Sequence, residues 1–177
     1  RANKIGRTII ATDDERIRSA VEEFGGEAAM TRNDHACGTD RIAEIAATLN
    51  DDIVINVLGD EPEISPIDID HLVSLLESND DCEMATLACP FDRAEDVLSP
   101  STTKVVLDRS GRAIYFSKAV IPYARDDGGA VKHPQDYLLH LGIYAYRRDF
   151  LLKYSSMPPT PLELTERLEQ LRVLENG

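Results

Sequence analysis

The segment that decides the fold is Ile53-Val54-Ile55-Asn56-Val57-Leu58-Gly59-Asp60-Glu61-Pro62. Its β-branched apolar run is typical of a strand buried on both faces, as in parallel sheets. Gly59 leaves room for close approach of another backbone, and Pro62 ends the strand. Ligands of open α/β sheets bind beyond the carboxyl ends of such strands, so the residues after Leu58 are the first candidates for a site.

Asp60 is the candidate metal ligand of this segment. Mg²⁺ is usually held by one or two carboxylates together with phosphate oxygens, and Asp60 stands directly after the strand. The alternative is an ordinary turn at the end of a strand, because Gly-Asp is common turn chemistry.

The first half of the chain alternates strands and helices. Apolar runs predict strands, and apolar residues at helical spacing predict helices between them. Ser65 and Pro66 stand where a helix begins, and Thr39 is expected to cap the helix before the central strand. The predicted strands are Thr8–Ala11, Ala28–Thr31, Ile53–Leu58 and Met84–Cys89; the apolar stripes of the helices are Ile17/Ala20/Val21/Phe24, Ile42/Ile45/Ala46/Leu49 and Ile69/Leu72/Val73/Leu76. This βαβαβαβ order predicts a three-layer α/β/α sandwich with a mixed, mostly parallel sheet.

The second half has a different pattern. Residues 104–108 and 113–117 flank a turn containing Gly111 and predict a hairpin, and residues 138–146 predict a further strand. Thr160 to Glu163 form a capping box with Pro at the first helical position. One final helix with a stripe of Leu164, Leu168 and Leu171 is expected to follow it.

Composition limits the classes of function. The formal net charge of −13 argues against binding to nucleic acid or to an anionic membrane surface. No run of eighteen apolar residues occurs, and the start of the chain lacks the apolar core of a signal peptide. Cys37, Cys82 and Cys89 have no zinc-binding spacing and suit a reducing cytoplasm. The length of 177 residues predicts one domain spanning 1–177.

Three polar segments are candidates for ligand contacts. The loop from Arg32 to Gly38 precedes a helix, whose first amides favour anionic or polar groups, although it is also an ordinary glycine-containing loop. Strand alternation puts His140, Gly142, Tyr144 and Tyr146 on one face, which lines either a pocket or a half-exposed surface. Glu169 and Gln170 lie beside the leucine stripe, where polar pairs usually face solvent.

Together these segments resemble one enzyme family. The collinear matches are to the 3-deoxy-manno-octulosonate cytidylyltransferases, also called CMP-Kdo synthetases, and they span the chain. The matching segments are residues 31–41, 56–62, 115–122, 140–147 and 168–177. The resemblance implies a nucleotide-diphospho-sugar transferase fold with a small hairpin lobe that forms a homodimer. It also implies transfer of a cytidylyl group from CTP to the sugar acid Kdo, with release of pyrophosphate, for lipopolysaccharide synthesis.

The resemblance assigns roles to the candidate residues. Asp60 corresponds to the catalytic Mg²⁺ ligand, and the loop from Arg32 to Gly38 to the part that embraces the nucleotide. Its nucleotide-binding candidates are Arg32, Asp34, Cys37 and Gly38, and the sugar-binding candidates are Lys118, His140, Tyr144, Glu169 and Gln170. Lys118 and, if it is protonated, His140 would hold the sugar carboxylate through charge-assisted bonds.

Three departures from the family pattern stand out. Leu58 occupies a place where the family usually has Gln, which predicts weaker Kdo binding or acceptance of a modified sugar. Cys37 stands where Ser is common, and a thiol is a weak donor. The family's N-terminal phosphate loop and its second Mg²⁺ aspartate have no counterpart, so the chain is expected to be an incomplete enzyme that is silent alone but self-associates.

Other functions stay open at this point. The nearest are cytidylyl transfer to 8-amino-Kdo or to sialic acid. A metal-dependent glycosyltransferase would usually carry Asp-x-Asp, whereas this chain has Asp60-Glu61-Pro62. Outside catalysis, the alternative is a nucleotide-binding or dimer-forming module.

Overall fold

The structure, a computed structural model, describes residues 1–35, 37–59 and 64–177. Its strands are β1 (Ile9–Thr12), β2 (Glu27–Met30), β3 (Ile53–Val57), β4 (Met84–Pro90), β5 (Lys104–Leu107), β6 (Ala113–Ser117) and β7 (Leu138–Arg147). Its helices are α1 (Glu15–Glu23), α2 (Gly38–Ala46), α3 (Pro66–Glu77), α4 (Ala94–Leu98), α5 (Arg148–Ser155), α6 (Pro161–Glu166) and α7 (Leu171–Glu175). Short 3₁₀ turns lie at Arg125–Asp127 and Pro134–Asp136. Within the described ranges, no helix combines the length and apolar composition needed to cross a membrane.

The chain divides into two compact units. Unit 1 contains residues 1–85 and 142–156, and unit 2 contains residues 86–141 and 157–177. A single domain over 1–177 stays a prediction.

The strands of unit 1 differ in direction from the expectation. Strands β1 and β2 pair in parallel, but β3 pairs antiparallel with β7, with Asn56 opposite Tyr144. An apolar run reports burial and not direction, which explains why β3 was expected in a parallel sheet. Burial on both faces is also only partial, since Asn56 is the buried member of β3 while Val57 is exposed.

Helix α2 packs on the end of β7 to form the core of unit 1. Ala43 and Ala46 of α2 contact Tyr146 and Leu151, and all four side chains are buried. Arg148 joins the same elements, because its Nε donates to the carbonyl of Ala46 at 3.0 Å. This core therefore fixes where α2 begins, next to the candidate nucleotide loop.

The helices of unit 1 match the predicted stripes unequally. Leu72 and Leu76 of α3 are buried as predicted, and Ser65 caps that helix by accepting from the amide of Ile67. In α1, however, Ile17 and Phe24 are exposed although the pattern placed them in the core. The four-residue strands that α1 covers are too short to bury both ends of its stripe.

Two further expectations about helices were wrong. Thr39 does not cap α2: Cys37 occupies the N-cap and Thr39 is a buried residue of the first turn. The expected final helix is split into α6 and α7 by Arg167, which adopts a left-handed conformation with φ 57° and ends α6. As a result Leu168 is buried while Leu164 is exposed.

Unit 2 contains the predicted hairpin. Strands β5 and β6 pair antiparallel, with Lys104 opposite Ser117, and β5 also pairs with the start of β7. Gly111 has φ +84° in the turn, and Asp108 accepts from the amides of Ser110 and Arg112. The pattern missed the short helix α4 of this unit, and in unit 1 it missed α5, where Leu151 and Tyr154 are buried one turn apart.

A buried ion pair closes the C-terminal part of unit 2. Arg172 of α7 binds both carboxylate oxygens of Glu163 in α6, and its Nη1 donates to the carbonyl of Met157 at 3.1 Å. The backbone amide of Thr160 donates to Glu163 at 3.1 Å, which is half of the predicted capping box. Burial raises the pKa of Glu163, but the bonds from Arg172 and Thr160 outweigh burial and leave that pKa below its ordinary value.

Candidate functional site

The end of β3 is the predicted position of the metal ligand. Asp60, together with Glu61 and Pro62, lies outside the described residues. Leu58 and Gly59 are described, and a Cβ placed on Gly142 of β7 would lie 3.2 Å from Cδ1 of Leu58. The gap expected at Gly142 is therefore filled by Leu58, the residue that replaces the family's usual Gln.

The candidate nucleotide loop borders a cavity in unit 1. The cavity has a volume of about 470 Å³, and Arg32, Asp34, His35, Glu44, Leu152 and Ser155 are among its lining residues. Arg32 and Asp34 thus lie at the same cavity, and their role in nucleotide binding stays a prediction. Cys37 and Gly38 instead form the N-cap and first residue of α2.

Glu44 organises this loop and was missed by the sequence analysis. Its carboxylate accepts from the ring of His35, at Nε2, and from the backbone amide of Arg32 at 3.3 Å. The hydrogen bond from His35 is the main reason that the pKa of Glu44 lies below its ordinary value. No local pattern marks Glu44, because its partners are nine and twelve residues away on another element.

His140 is the most constrained of the sugar-binding candidates. It is buried in unit 2, with its ring edge-to-face against Phe116 at a centroid distance of 4.9 Å. Its Nε2 lies 2.9 Å from Oγ1 of Thr86. The same hydroxyl of Thr86 lies 3.2 Å from the carbonyl oxygen of Leu141, so it joins the ring of His140 to the backbone of β7.

Burial makes His140 a neutral group. Desolvation, with a smaller contribution from the charge of Lys118, lowers its pKa from the ordinary 6.5 to about 4. His140 is therefore neutral at pH 7 without ligand, and its role in holding the sugar carboxylate, which was expected only if it is protonated, stays a prediction. This side chain interacts through hydrogen bonds, and Lys118 supplies the charge.

Lys118 follows strand β6 of the hairpin. Its Nζ donates to the carbonyl of Ser101 at 3.0 Å, and its backbone amide donates to Glu166 at 2.9 Å. Its charge acts on the pKa values of both His140 and Lys104. The structure thus brings Lys118 and His140 together, as the resemblance implied.

Glu169 and Gln170 lie in the short connection between α6 and α7. Gln170 is buried, and among the described residues its Nε2 has no hydrogen-bond partner. Its neighbours Leu168 and Leu171 pack with Val105 and Phe116, the residue that contacts His140. A buried amide donor without an acceptor is costly, so Gln170 suits contact with a ligand oxygen better than the solvent-facing position expected from the pattern.

Tyr144 belongs to unit 1. It is half-buried on β7 and stacks on Tyr146 with a ring centroid distance of 5.9 Å. The stacking fixes the plane of its ring but does not by itself assign a ligand.

The neutral state of His140 predicts a pH-dependent stability. Because the folded pKa is below that of the unfolded chain, the contribution is complete above about pH 6.5 and is lost as pH falls towards about 4. Gln does not titrate, so we expect the free energy of unfolding of His140→Gln to fall by about 3 kcal/mol less than that of the parent over this pH interval. Urea unfolding of parent and His140→Gln proteins at several pH values measures it.

Carboxylates that titrate in the same interval are common to the two proteins and cancel in the difference. Parallel stability curves for parent and variant between those pH values would show that His140 is not held neutral.

The comparisons with known proteins cover the whole chain. The model of the family described as "Cytidylyltransferase" matches residues 1–177. A 3-deoxy-manno-octulosonate cytidylyltransferase of Pelobacter propionicus is 50% identical over 183 residues, which cover 100% of this chain and 72% of the relative. The enzyme of the same name from Syntrophobacter fumaroxidans is 52% identical over 180 residues, covering 100% of this chain and 71% of the relative.

A solved structure agrees with these relatives. The structure of CMP:2-keto-3-deoxy-manno-octonic acid synthetase complexed with CTP superposes with a TM-score of 0.92 at 44% identity, covering 100% of this chain and 71% of that one. The predicted α/β fold class is thereby confirmed. The chain belongs to the cytidylyltransferase family and, within it, to the 3-deoxy-manno-octulosonate cytidylyltransferases.

Proposed function

We propose that this protein couples CTP to 3-deoxy-manno-octulosonate, forming CMP-Kdo and pyrophosphate for lipopolysaccharide synthesis. The observation that carries the proposal is the similarity over the whole chain to enzymes of that name at about half identity. In the reaction the anomeric hydroxyl of the sugar acid attacks the α-phosphorus of CTP. The bond from that phosphorus to the pyrophosphate oxygen breaks, and the hydroxyl proton is lost.

The nucleotide is proposed to bind at the loop of unit 1. Arg32 and Asp34 line its cavity, while Cys37 and Gly38 stand at the start of α2. Amides and the dipole at the N-terminus of a helix favour polar or anionic groups, which suits part of a nucleotide. The bond between Glu44 and His35 holds the loop in place for this contact.

The sugar acid is proposed to bind at Lys118, His140, Tyr144, Glu169 and Gln170. Lys118 supplies a positive charge for the carboxylate, and charge-assisted bonds of that kind contribute roughly 1.5–3 kcal/mol each. The buried amide of Gln170 is suited to donate to a sugar oxygen. Because Leu58 stands where the resemblance led us to expect Gln, modified sugars belong in the test.

The assay for this proposal uses the enzyme expressed from the complete reading frame that encodes this chain. Pyrophosphate release is measured with CTP and one of three sugar acids: Kdo, 8-amino-Kdo or sialic acid. We expect the highest kcat/KM with Kdo, because every named relative is a Kdo enzyme. Turnover with sialic acid alone, or with no sugar acid, contradicts the proposal, and a preference for 8-amino-Kdo moves the substrate to the modified sugar.

Magnesium is proposed as the cofactor, with Asp60 as its ligand. Asp60 lies outside the described residues, and within them no group of three or more His, Cys, Asp or Glu side chains forms a metal site. The proposal therefore rests on the position of Asp60 after β3 and on the family resemblance. Mg²⁺ bound there would offset charge on the triphosphate.

We expect Asp60→Asn to lower turnover at least about a hundredfold, equivalent to roughly 2.7 kcal/mol on the barrier, because the amide keeps the shape but loses the charge. Asp51→Asn is the matched control, since Asp51 is exposed and precedes the same strand. Steady-state rates at saturating Mg²⁺ measure the effect of each substitution. Rates of the parent enzyme in excess chelator measure the dependence on Mg²⁺. Near-normal rates for Asp60→Asn would make it a turn residue, and activity that survives chelation would remove Mg²⁺ from the proposal.

A homodimer through the hairpin is also proposed. Val105 and Phe116 of the hairpin are buried inside unit 2, where they pack with Leu168 and Leu171. The register shifts between Val106 and Leu107, and Leu107 and Ile114 are the apolar hairpin residues left exposed. Exposed apolar side chains that lie together often mark an interface.

Ile114→Asp is expected to convert the dimer to a monomer, because a carboxylate would be buried without a partner at the interface. Ile67→Asp in α3 is the control, since Ile67 is 65% exposed and Ile114 is 60% exposed. Light scattering of both variants and the parent gives the masses. A parent protein that is monomeric at high concentration, or equal masses for all three proteins, contradicts the proposed interface.

The reaction is proposed to take place in the cytoplasm. The odd number of cysteines, Cys37, Cys82 and Cys89, and their lack of zinc-binding spacing suit a reducing compartment.

A further inference from the structure

One carboxylate holds the main chain at Lys118. Ser117 donates its hydroxyl to Oε1 of Glu166 at 2.6 Å, and the amide of Lys118 donates to Oε2 at 2.9 Å. The hydroxyl of Ser117 in turn accepts from the amide of Ala119 at 3.0 Å. Glu166 therefore ties three consecutive residues at the end of β6 to helix α6.

The other end of Lys118 is held by the loop of residues 99–103, here called the anchor loop. The carbonyl of Ser101 accepts from Nζ of Lys118 at 3.0 Å. The carbonyl of Thr103 accepts from the backbone amide of His140 at 2.9 Å. One loop thus contacts two of the residues proposed to bind the sugar acid.

A buried lysine shapes the anchor loop. Lys104 has no exposed surface, and its Nζ donates to the carbonyls of Ser99 and Thr102, each at 2.9 Å, and to Oγ1 of Thr102 at 3.3 Å. These bonds match the three N–H donors of an ammonium group. Burial, and then the charge of Lys118, lowers the pKa of Lys104, while Glu166 opposes them.

A buried ammonium group by itself contributes little to the stability of a fold. Apolar residues of similar volume often serve equally well or better at such positions, because a buried charge loses its hydration. Unlike an apolar side chain, Lys104 carries hydrogen-bond donors, and these orient the carbonyls of Ser99 and Thr102 towards its ammonium group. That direction determines where Ser101 meets Lys118.

We propose that Glu166 and Lys104 are positioning residues for the sugar acid, which hold Lys118 by its main chain and by its ammonium group so that its charge meets the carboxylate. This inference rests on the proposed function of Lys118 as a sugar-acid ligand. Glu166 and Lys104 act through Lys118 and do not themselves touch the substrate.

The test uses the enzyme from the complete reading frame with CTP and Kdo. Lys118→Met is expected to raise KM for Kdo about tenfold or more, as loss of a charge-assisted bond implies. Glu166→Gln and Lys104→Met are expected to raise it about three- to tenfold, with KM for CTP changed by less than about twofold. Glu166→Gln removes the carboxylate charge from both bonds, and its NH₂ group must either reverse the bond with Ser117 or oppose the amide of Lys118, at little change in volume.

Glu175→Gln is the matched control. Glu175 also accepts from a backbone amide, that of Leu162 at 3.0 Å, in the same unit but away from Lys118. We expect it to leave both KM values within about twofold of the parent. Circular dichroism and thermal unfolding establish which variants fold, and if Lys104→Met does not, Glu166→Gln decides.

The outcomes separate the inference from the function on which it rests. A raised KM for Kdo in Lys118→Met but not in folded Glu166→Gln or Lys104→Met overturns the positioning role and leaves Lys118 as a ligand. An unchanged KM in Lys118→Met removes its proposed function and the inference together. Equal effects on Kdo and CTP, or an equal effect of Glu175→Gln, would show general loosening of the unit and overturn the inference.

Discussion

The backbone pairing of strand β7 is the constraint on which both groups of candidate residues depend. In unit 1 its residues from Ile143 to Arg147 pair with β3, and in unit 2 its first residues pair with β5. Side chains alternate between the faces of a strand, so a slip of one residue would turn His140 and Tyr144 to the opposite face. The hydrogen bond from the amide of His140 to Thr103 fixes the register at the point where the site needs it.

Local cations explain how an acidic protein can bind two anionic substrates. The net charge of −13 acts over distances that salt screens, whereas Lys118 acts at hydrogen-bond range. The neutral state of His140 follows from the same arrangement: burial makes a second positive charge beside Lys118 unfavourable, so the imidazole contributes hydrogen bonds alone. Charge and hydrogen bonding in the sugar region are thereby divided between two neighbouring residues.

The contact between Leu58 and Gly142 links the end of β3 to specificity. Gly142 leaves space that the side chain of Leu58 occupies, at a distance where a larger residue at position 142 would require movement. The family's usual Gln would offer a hydrogen bond where Leu58 offers an apolar surface.

Local signals in the sequence determined the hairpin around Gly111, the start of α3 at Ser65 and, through the resemblance, the family and its candidate residues. These features depend on turn chemistry, capping and short motifs, which act within a few residues. Tertiary structure alone decided that Phe24 is exposed, that Lys104 is buried, that Glu166 holds Lys118 and that His140 is neutral. Each of these depends on partners from distant segments and on the water that packing excludes, and neither quantity is present in the spacing of residues along the chain.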